Sequence, residues 1–146
     1  MGFSLSKLVR KNKNKSADTV ESIIKDVENT PFGVSENNVL YAGLNELGGY
    51  YFFQTIVVGQ LNIKTANGAK LLFKGQGTEL ELKSDSSEFE SDSSPVNGRS
   101  ITKIDFQVEE DDIKILQENK TESITLKAKK QTIVFTKFDG GNDEEE

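Results

Sequence analysis

Carboxylates are the side chains best able to do chemistry here, because the 146-residue chain contains no histidine, cysteine or tryptophan. Without imidazole or thiol groups, a Ser-His-Asp triad, a Cys-His pair, a thiolate redox centre and a Cys/His zinc site are excluded. Neither phosphate-binding pattern, GxxxxGKS/T or GxGxxG, occurs in the sequence. We therefore expect a non-catalytic protein without a metal or cofactor, and an enzyme that uses carboxylates or tyrosine is the least favoured alternative.

Two acidic clusters could still support chemistry. The contiguous acids Glu109–Asp112 could supply a glycosidase acid and base, but such enzymes place their two carboxylates on opposite sides of a bond. The Ser-rich segment 84–94 contains four acids that could bind calcium, yet it lacks the alternating acids and central glycine of an EF-hand. We interpret the first cluster as a solvated helix start and the second as a solvated loop.

Aromatic residues recur in the apolar segments and could line a cavity for a small apolar ligand. In buried strands such residues more often form a solid core. Carriage of a small apolar ligand inside a β-barrel is therefore the alternative to a binding module. The candidate cavity residues are Tyr51, Phe53, Phe73, Phe106 and Phe135.

The first 15 residues combine basic and apolar side chains. They carry five positive and no negative charges, whereas residues 16–146 carry 13 positive and 24 negative charges, a net charge of −11. The acidic body disfavours nucleic acid, while the N-terminus could dock weakly on an anionic membrane or on a partner protein. The candidate docking residues are Phe3, Leu5, Lys7, Leu8, Arg10 and Lys11.

Charge and hydropathy divide the chain into three parts. We expect a flexible basic tail at 1–15, a single β-rich domain at 16–138 and a flexible acidic tail at 139–146. The basic run follows the first apolar residues instead of preceding them, and no apolar stretch approaches the ~18 residues of a membrane span. We expect a soluble cytoplasmic protein.

Two segments have helical patterns. Asp18 and Glu21 have the spacing of a capping box, and apolar residues then recur at helical spacing, which predicts a helix at about 19–28 that ends before Pro31. Residues 109–119 fit either a helix or a strand. A short helix is favoured because four acids suit a helix N-terminus.

The remaining apolar segments predict strands. A short apolar element spans Val39–Leu44, and the nearly continuous apolar run Tyr50–Val58 indicates a central strand that is covered on both faces. Gly59 indicates a bulge or bend before Gln60–Thr65. Alternation along Lys103–Val108 predicts a half-buried strand.

Three turns predict hairpins. At Asn67-Gly68 a three-residue loop would pair Ala66 with Lys70, which would place Leu61, Ile63, Leu71 and Phe73 on one face. At Gln76-Gly77 a two-residue loop sets Phe73 opposite Leu80. Across Lys129-Lys130, Ile124 and Leu126 match Phe135 and Ile133 in a closing hairpin.

About seven strands and few helical residues predict a mainly β (α+β) fold. The antiparallel sheet would form a sandwich or a partly open barrel, with an N-terminal helix and one short internal helix. Together with the missing catalytic groups, this architecture favours a non-catalytic module that binds a protein partner.

Overall fold

The computed structural model describes residues 19–94, 98–118 and 120–138. Two helices lie in these ranges, α1 (Val20–Asp26) and α2 (Glu110–Gln117). The seven strands of six or more residues are β2 (Asn38–Leu47), β3 (Tyr50–Gly59), β5 (Ala69–Gly75), β6 (Thr78–Lys83), β9 (Ser100–Val108), β10 (Thr121–Ala128) and β11 (Gln131–Lys137). The strands of two residues are β1 (Gly33–Val34), β4 (Lys64–Thr65), β7 (Phe89–Glu90) and β8 (Asp92–Ser93).

Nine strands form one curled antiparallel sheet in the order β6-β5-β10-β11-β1-β2-β3-β9-β8, and β4 pairs separately with β7. The free edge of the sheet turns back towards β9. There Ser84 forms a bridge with Phe106, and the Asp85 amide donates to the Asp105 carbonyl oxygen at 2.7 Å. The mainly β fold is thus confirmed, and of the two predicted arrangements the sheet forms the partly open barrel.

The interior of the curled sheet is an apolar core. Its inward-facing residues alternate with outward polar residues along β5, β6, β9, β10 and β11, as expected for strands with one solvated face. The largest side chains that are fully buried in this core are Leu40, Leu71, Phe73, Phe106, Ile124 and Phe135. Burial of these side chains supplies most of the hydrophobic stabilisation of the barrel.

The outer face of β2 and β3 is apolar where α1 covers it. Ile23 of α1 is almost fully buried against Val39, Tyr41 and Val58. The helix begins at a Thr19 cap, whose hydroxyl accepts from the Ser22 amide at 3.1 Å, so the predicted cap at Asp18 is wrong by one residue. Thr19 adopts the extended backbone of an N-cap, and its side chain satisfies one of the unpaired first-turn amides.

The predicted central strand is confirmed as β3, which lies between β2 and β9. The short apolar element proves to be the start of the ten-residue strand β2. Gly59 ends β3 at φ 151°, paired with both Asn38 and Ser100, and a side chain there would collide with the Asn37 carbonyl oxygen. Glycine is required at this position by close approach of the backbone, rather than by a bulge.

The predicted hairpin at Asn67-Gly68 is wrong. Gly68 has the expected positive φ of 76°, but β4 pairs with β7, while β5 pairs with β6 and β10. Ala66 and Lys70 are therefore not partners. The segment before the turn binds residue 91 instead: the Ile63 amide donates to Ser91 Oγ at 2.9 Å, and the Ser91 amide donates to the Ile63 carbonyl oxygen at 2.8 Å.

Four further local predictions are confirmed. Phe73 lies opposite Leu80 across the Gln76-Gly77 turn, and Ile124 lies opposite Phe135 in the hairpin of β10 and β11. Residues 110–117 form helix α2, which packs its apolar side chains against one end of the core. The predicted strand at 103–108 is extended by three residues at its start in β9.

The Ser-rich segment 84–94 is more ordered than a solvated loop. It contains β7 and β8, and Ser91 Oγ lies 2.6 Å from Thr102 Oγ1 on β9. Ser84 Oγ accepts from the Ala69 amide at 3.0 Å. Serine hydroxyls replace missing strand partners here, which the composition alone did not reveal. The predicted domain boundaries at 16 and 138 stay a prediction.

Candidate interaction surfaces

The five predicted cavity residues all contact the barrel core. Phe53 and Phe73 meet edge to face at 5.4 Å between ring centroids, and Phe32 contacts both rings at 5.4 and 6.3 Å. Phe106 and Phe135 are fully buried, whereas Tyr51 is half-buried. Rings that pack against one another act as core, and carriage of a ligand among them stays a prediction.

The two acidic clusters lie at the surface. Glu109 precedes α2 without a side-chain capping bond, and Glu110 and Asp111 of the first turn are exposed, as expected for a solvated helix start. In the acidic segment, Asp85 Oδ1 accepts from Gln107 Nε2 at 3.0 Å. Within ranges 19–94, 98–118 and 120–138, no three acidic side chains converge in a way that could hold a metal ion.

The predicted docking residues from Phe3 to Lys11 lie outside the described residues, as does the acidic tail. Docking of the N-terminus on an anionic membrane therefore stays a prediction. Among the described residues, no helix is both long and apolar enough to cross a bilayer.

A row of three lysines crosses the outer face of the barrel. Lys70 of β5 lies directly opposite Lys83 of β6 on one side and Lys127 of β10 on the other. We call Lys70, Lys83 and Lys127 the lysine row. All three side chains are exposed, and like charges placed directly opposite each other in a sheet are destabilising.

The hydrogen-bonding pattern places Lys70 and Lys83 especially close. Ser84 donates to the Ala69 carbonyl oxygen, so the adjacent Lys70–Lys83 pair is a non-hydrogen-bonded pair with a Cα separation of about 4.5 Å. Lys70 also lies 3.5 Å from Glu81. Among the described residues, neither Lys83 nor Lys127 has an ion-pair partner. Two of the three lysines in the row therefore present positive charge that no ion pair among the described residues compensates.

A groove runs along this row. It has a volume of about 610 Å³ and includes Lys129, which adopts a positive φ of 54° in the turn between β10 and β11. Asn67 and Ser84 contribute polar groups to the same groove, and Asp85 is its acidic member. An elongated anionic ligand would find several ammonium groups along one wall.

A second surface lies on the outer face of β2 and β3, beyond the part that α1 covers. Its residues are Leu47, Tyr50, Phe52 and Ile56, which we call the hairpin face. Leu47 is 57% exposed, Tyr50 is 71% exposed and Ile56 is 36% exposed, while Phe52 is half-buried. Clustered apolar side chains of this size on a surface commonly mark a site of contact.

A partly buried polar cluster joins α1 to the barrel. Arg99 Nη2 donates to Asp26 Oδ2 at 3.2 Å, and the Arg99 side chain is only 7% exposed. Tyr41 lies beneath α1, and its buried hydroxyl has no hydrogen-bond partner among the described residues. Burial raises the pKa of Tyr41, and the nearby Arg99 charge partly offsets that increase.

The lysine row was not predicted from the sequence, although the pairing of Lys70 with Lys83 could have been. The confirmed two-residue turn at Gln76-Gly77 already places Lys70 opposite Lys83. Pairing of β5 with β10, which brings in Lys127, joins residues 57 positions apart and has no local signal.

Comparison of the chain with protein-family models, curated proteins and solved structures gave no match. Inference about function therefore depends on the two surfaces described above.

Proposed function

We propose that the protein is a non-catalytic interaction module that binds a carboxylate-rich segment of a partner protein along the lysine row. The observation that supports this proposal is the direct cross-strand register of Lys83, Lys70 and Lys127 in a chain with a net charge of −6. A sheet gains nothing from three opposed lysines on its own. A bound anionic segment would relieve their repulsion.

The dimensions of the row suit an extended peptide. Adjacent strands lie about 4.8 Å apart, so the row spans roughly 10 Å across three strands. Side chains on one face of an extended peptide repeat at about 6.8 Å, and the flexible lysine stems can adjust to that spacing. Two or three acids at alternate positions would each reach an ammonium group.

Charge around the groove favours a carboxylate segment over nucleic acid. Asp85 lies in the same groove, and Glu88 and Glu90 line the neighbouring one. A polyphosphate would meet these carboxylates as well as the lysines, and nucleic-acid binding depends on phosphate contacts along its whole length. A short peptide can contact the lysines and avoid the acids.

Binding of a fluorescein-labelled peptide of alternating Glu and Ser, followed by anisotropy, tests the proposal. We expect the triple variant Lys70→Gln/Lys83→Gln/Lys127→Gln to bind at least about tenfold more weakly, since each charge contact contributes roughly 0.5 kcal/mol. The matched control Lys25→Gln/Lys103→Gln/Lys114→Gln removes the same charge from exposed sites elsewhere and should stay within about twofold of the unmodified chain.

Equal weakening in both triple variants would show that only net charge matters and would contradict the proposal. Failure of the unmodified chain to bind the peptide at low salt would also contradict it. Stronger binding of a single-stranded oligonucleotide than of the peptide would favour nucleic acid instead.

A further inference from the structure

The hairpin face is the uncovered continuation of a surface that α1 covers in part. Val39, Tyr41 and Val58 on the outer side of β2 and β3 pack against α1, and Ile56, Phe52 and Tyr50 follow along the same side of β3. A second layer therefore stops partway along an apolar sheet face.

The middle of the uncovered part combines a glycine with the hydrogen-bonded side chains of Asn45 and Gln54. Gly43 stands on this side of β2, opposite Gln54, and a side chain placed there would come no nearer than 4.0 Å to Asn45 Nδ2. The missing side chain lets another element approach the sheet backbone. Ile56 and Phe52 flank this site on β3 and supply apolar contacts.

The surroundings of the hairpin tip are acidic. Glu46 and Glu110 line a groove on the inner side of the tip, together with Leu44 and Tyr51. On the outer side, Asp105 of β9 lies opposite Gln54, and the exposed Glu109 follows Val108, the partner of Tyr51. The basic residues are Lys114, which lines the inner groove, and Lys103, which lies opposite Ile56 on the outer side. A segment that covers the hairpin face would therefore be favoured if it carried both apolar and basic side chains.

We infer that residues 1–15 of the same chain are that segment and that they fold back onto the hairpin face. They contain Phe3, Leu5 and Leu8 among five positive and no negative charges. The chain enters α1 at Thr19 on this same outer face, so the two partners are already tethered to each other. Tethering raises their effective concentration without any further contact.

The lengths of the two partners agree. The distance along β3 from Ile56 to Tyr50 is six residues, or about 20 Å. Fifteen residues extend about 22 Å as a helix and further as an extended chain. Residues 16–18 remain as a connection to Thr19. The basic side chains Lys7, Arg10 and Lys11 would then contact the acids at the hairpin tip.

Paramagnetic relaxation measured by NMR tests this contact. Because the chain has no cysteine, Ser6→Cys creates a single site for a nitroxide spin label. At low salt we expect the label to broaden the amide signals of Leu47, Tyr50 and Phe52 and to leave those of the lysine row unchanged. Added salt should reduce the broadening.

Two variants of the labelled chain separate specific contact from chance encounters. Leu47→Ser/Tyr50→Ser removes exposed apolar side chains, and Lys7→Glu/Arg10→Glu/Lys11→Glu reverses the charge without altering any described residue. Each should abolish the broadening at Phe52. An unperturbed spectrum elsewhere shows that the barrel is intact.

Absence of broadening at the hairpin face, or broadening that persists in both variants, would overturn the inference. If the spin label loses mobility only when phosphatidylserine vesicles are added, the segment docks on membranes instead. Binding of the acidic peptide to the lysine row is a separate measurement, so either proposal can fail without the other.

Discussion

The two halves of the barrel use their outer faces differently. In β5, β6, β10 and β11, the outward residues are mostly lysine, glutamate and threonine, and this face is solvated. In β2 and β3, the outward residues are mostly apolar, and α1 covers only some of them. A strand whose side chains alternate between apolar and polar therefore needs packing on its inner face only. A strand that is apolar on both faces needs a second packed layer on its outer face. Where that layer ends, apolar surface remains for another partner.

The inner face should dominate stability in the alternating half. Phe73→Ala removes a fully buried ring that contacts Phe32 and Phe53, and we expect a loss of about 3–5 kcal/mol in the free energy of unfolding. Val134→Thr on the solvated face of β11 is the control and should change stability by under about 0.5 kcal/mol. Urea titrations measure both. Similar losses at the two sites would show that this half is not one layer thick.

Substitution of two glycines tests how closely other atoms approach the backbone of the apolar half. Gly59→Ala should cost about 2 kcal/mol or more, because its Cβ would lie 2.6 Å from Asn38 Oδ1 and the φ of 151° suits only glycine. The Cβ of Gly43→Ala would meet only an ordinary contact, with Asn45 Nδ2 at 4.0 Å, so stability should change by under about 0.5 kcal/mol. Thermal unfolding measures both, and equal losses would contradict the difference in packing.

Local turns were predictable from the sequence, whereas distant pairings were not. The turns at Gln76-Gly77 and Lys129-Lys130 join strands whose side chains match within a few residues of the turn. Residues 61–65 instead find their partners near Glu90 and Ser91, about 25 positions later. Ile63 is buried and Lys64 is exposed, as both pairings require, so burial at those two positions does not identify the partner.

The candidate surfaces were less predictable than the core for the same reason. Periodicity shows that Lys70 and Lys127 face outwards, but only the pairing of β5 with β10 makes them neighbours. The apolar run Tyr50–Val58 shows that a second layer exists, but not where α1 stops covering it. Which distant strands pair, and where a helix lies on the sheet, cannot be inferred from the local pattern of a single sequence.

In the part of the apolar half that α1 covers, the buried hydroxyl of Tyr41 has no hydrogen-bond partner among the described residues. Removing it in Tyr41→Phe should raise stability at pH 7 by about 1 kcal/mol, since a buried hydroxyl without a partner has lost its hydration. Chemical denaturation at pH 7 gives this difference. A loss of stability instead would mean that the hydroxyl has a bonding partner.

The same substitution has a pH-dependent consequence. Burial raises the pKa of Tyr41 in the folded chain, with Arg99 opposing, so the unfolded chain releases the Tyr41 proton first, near pH 10. The contribution of Tyr41 to stability is complete below that pH and is lost as the pH rises towards the folded pKa. We expect the advantage of Tyr41→Phe to grow between pH 9 and pH 11, and a constant difference would contradict burial of the hydroxyl.

The smallest expected effect belongs to the solvated face of the alternating half. Lys127→Glu places a carboxylate directly opposite Lys70, and we expect stability to rise by about 0.2–1 kcal/mol at low salt. Lys103→Glu makes the same charge change opposite Ile56 and should give no gain. Urea titration at low salt and in 1 M salt measures the difference, which screening should erase. If Lys127→Glu stabilises the fold but weakens binding of the acidic peptide, then the repulsion within the lysine row is retained for binding and not for folding.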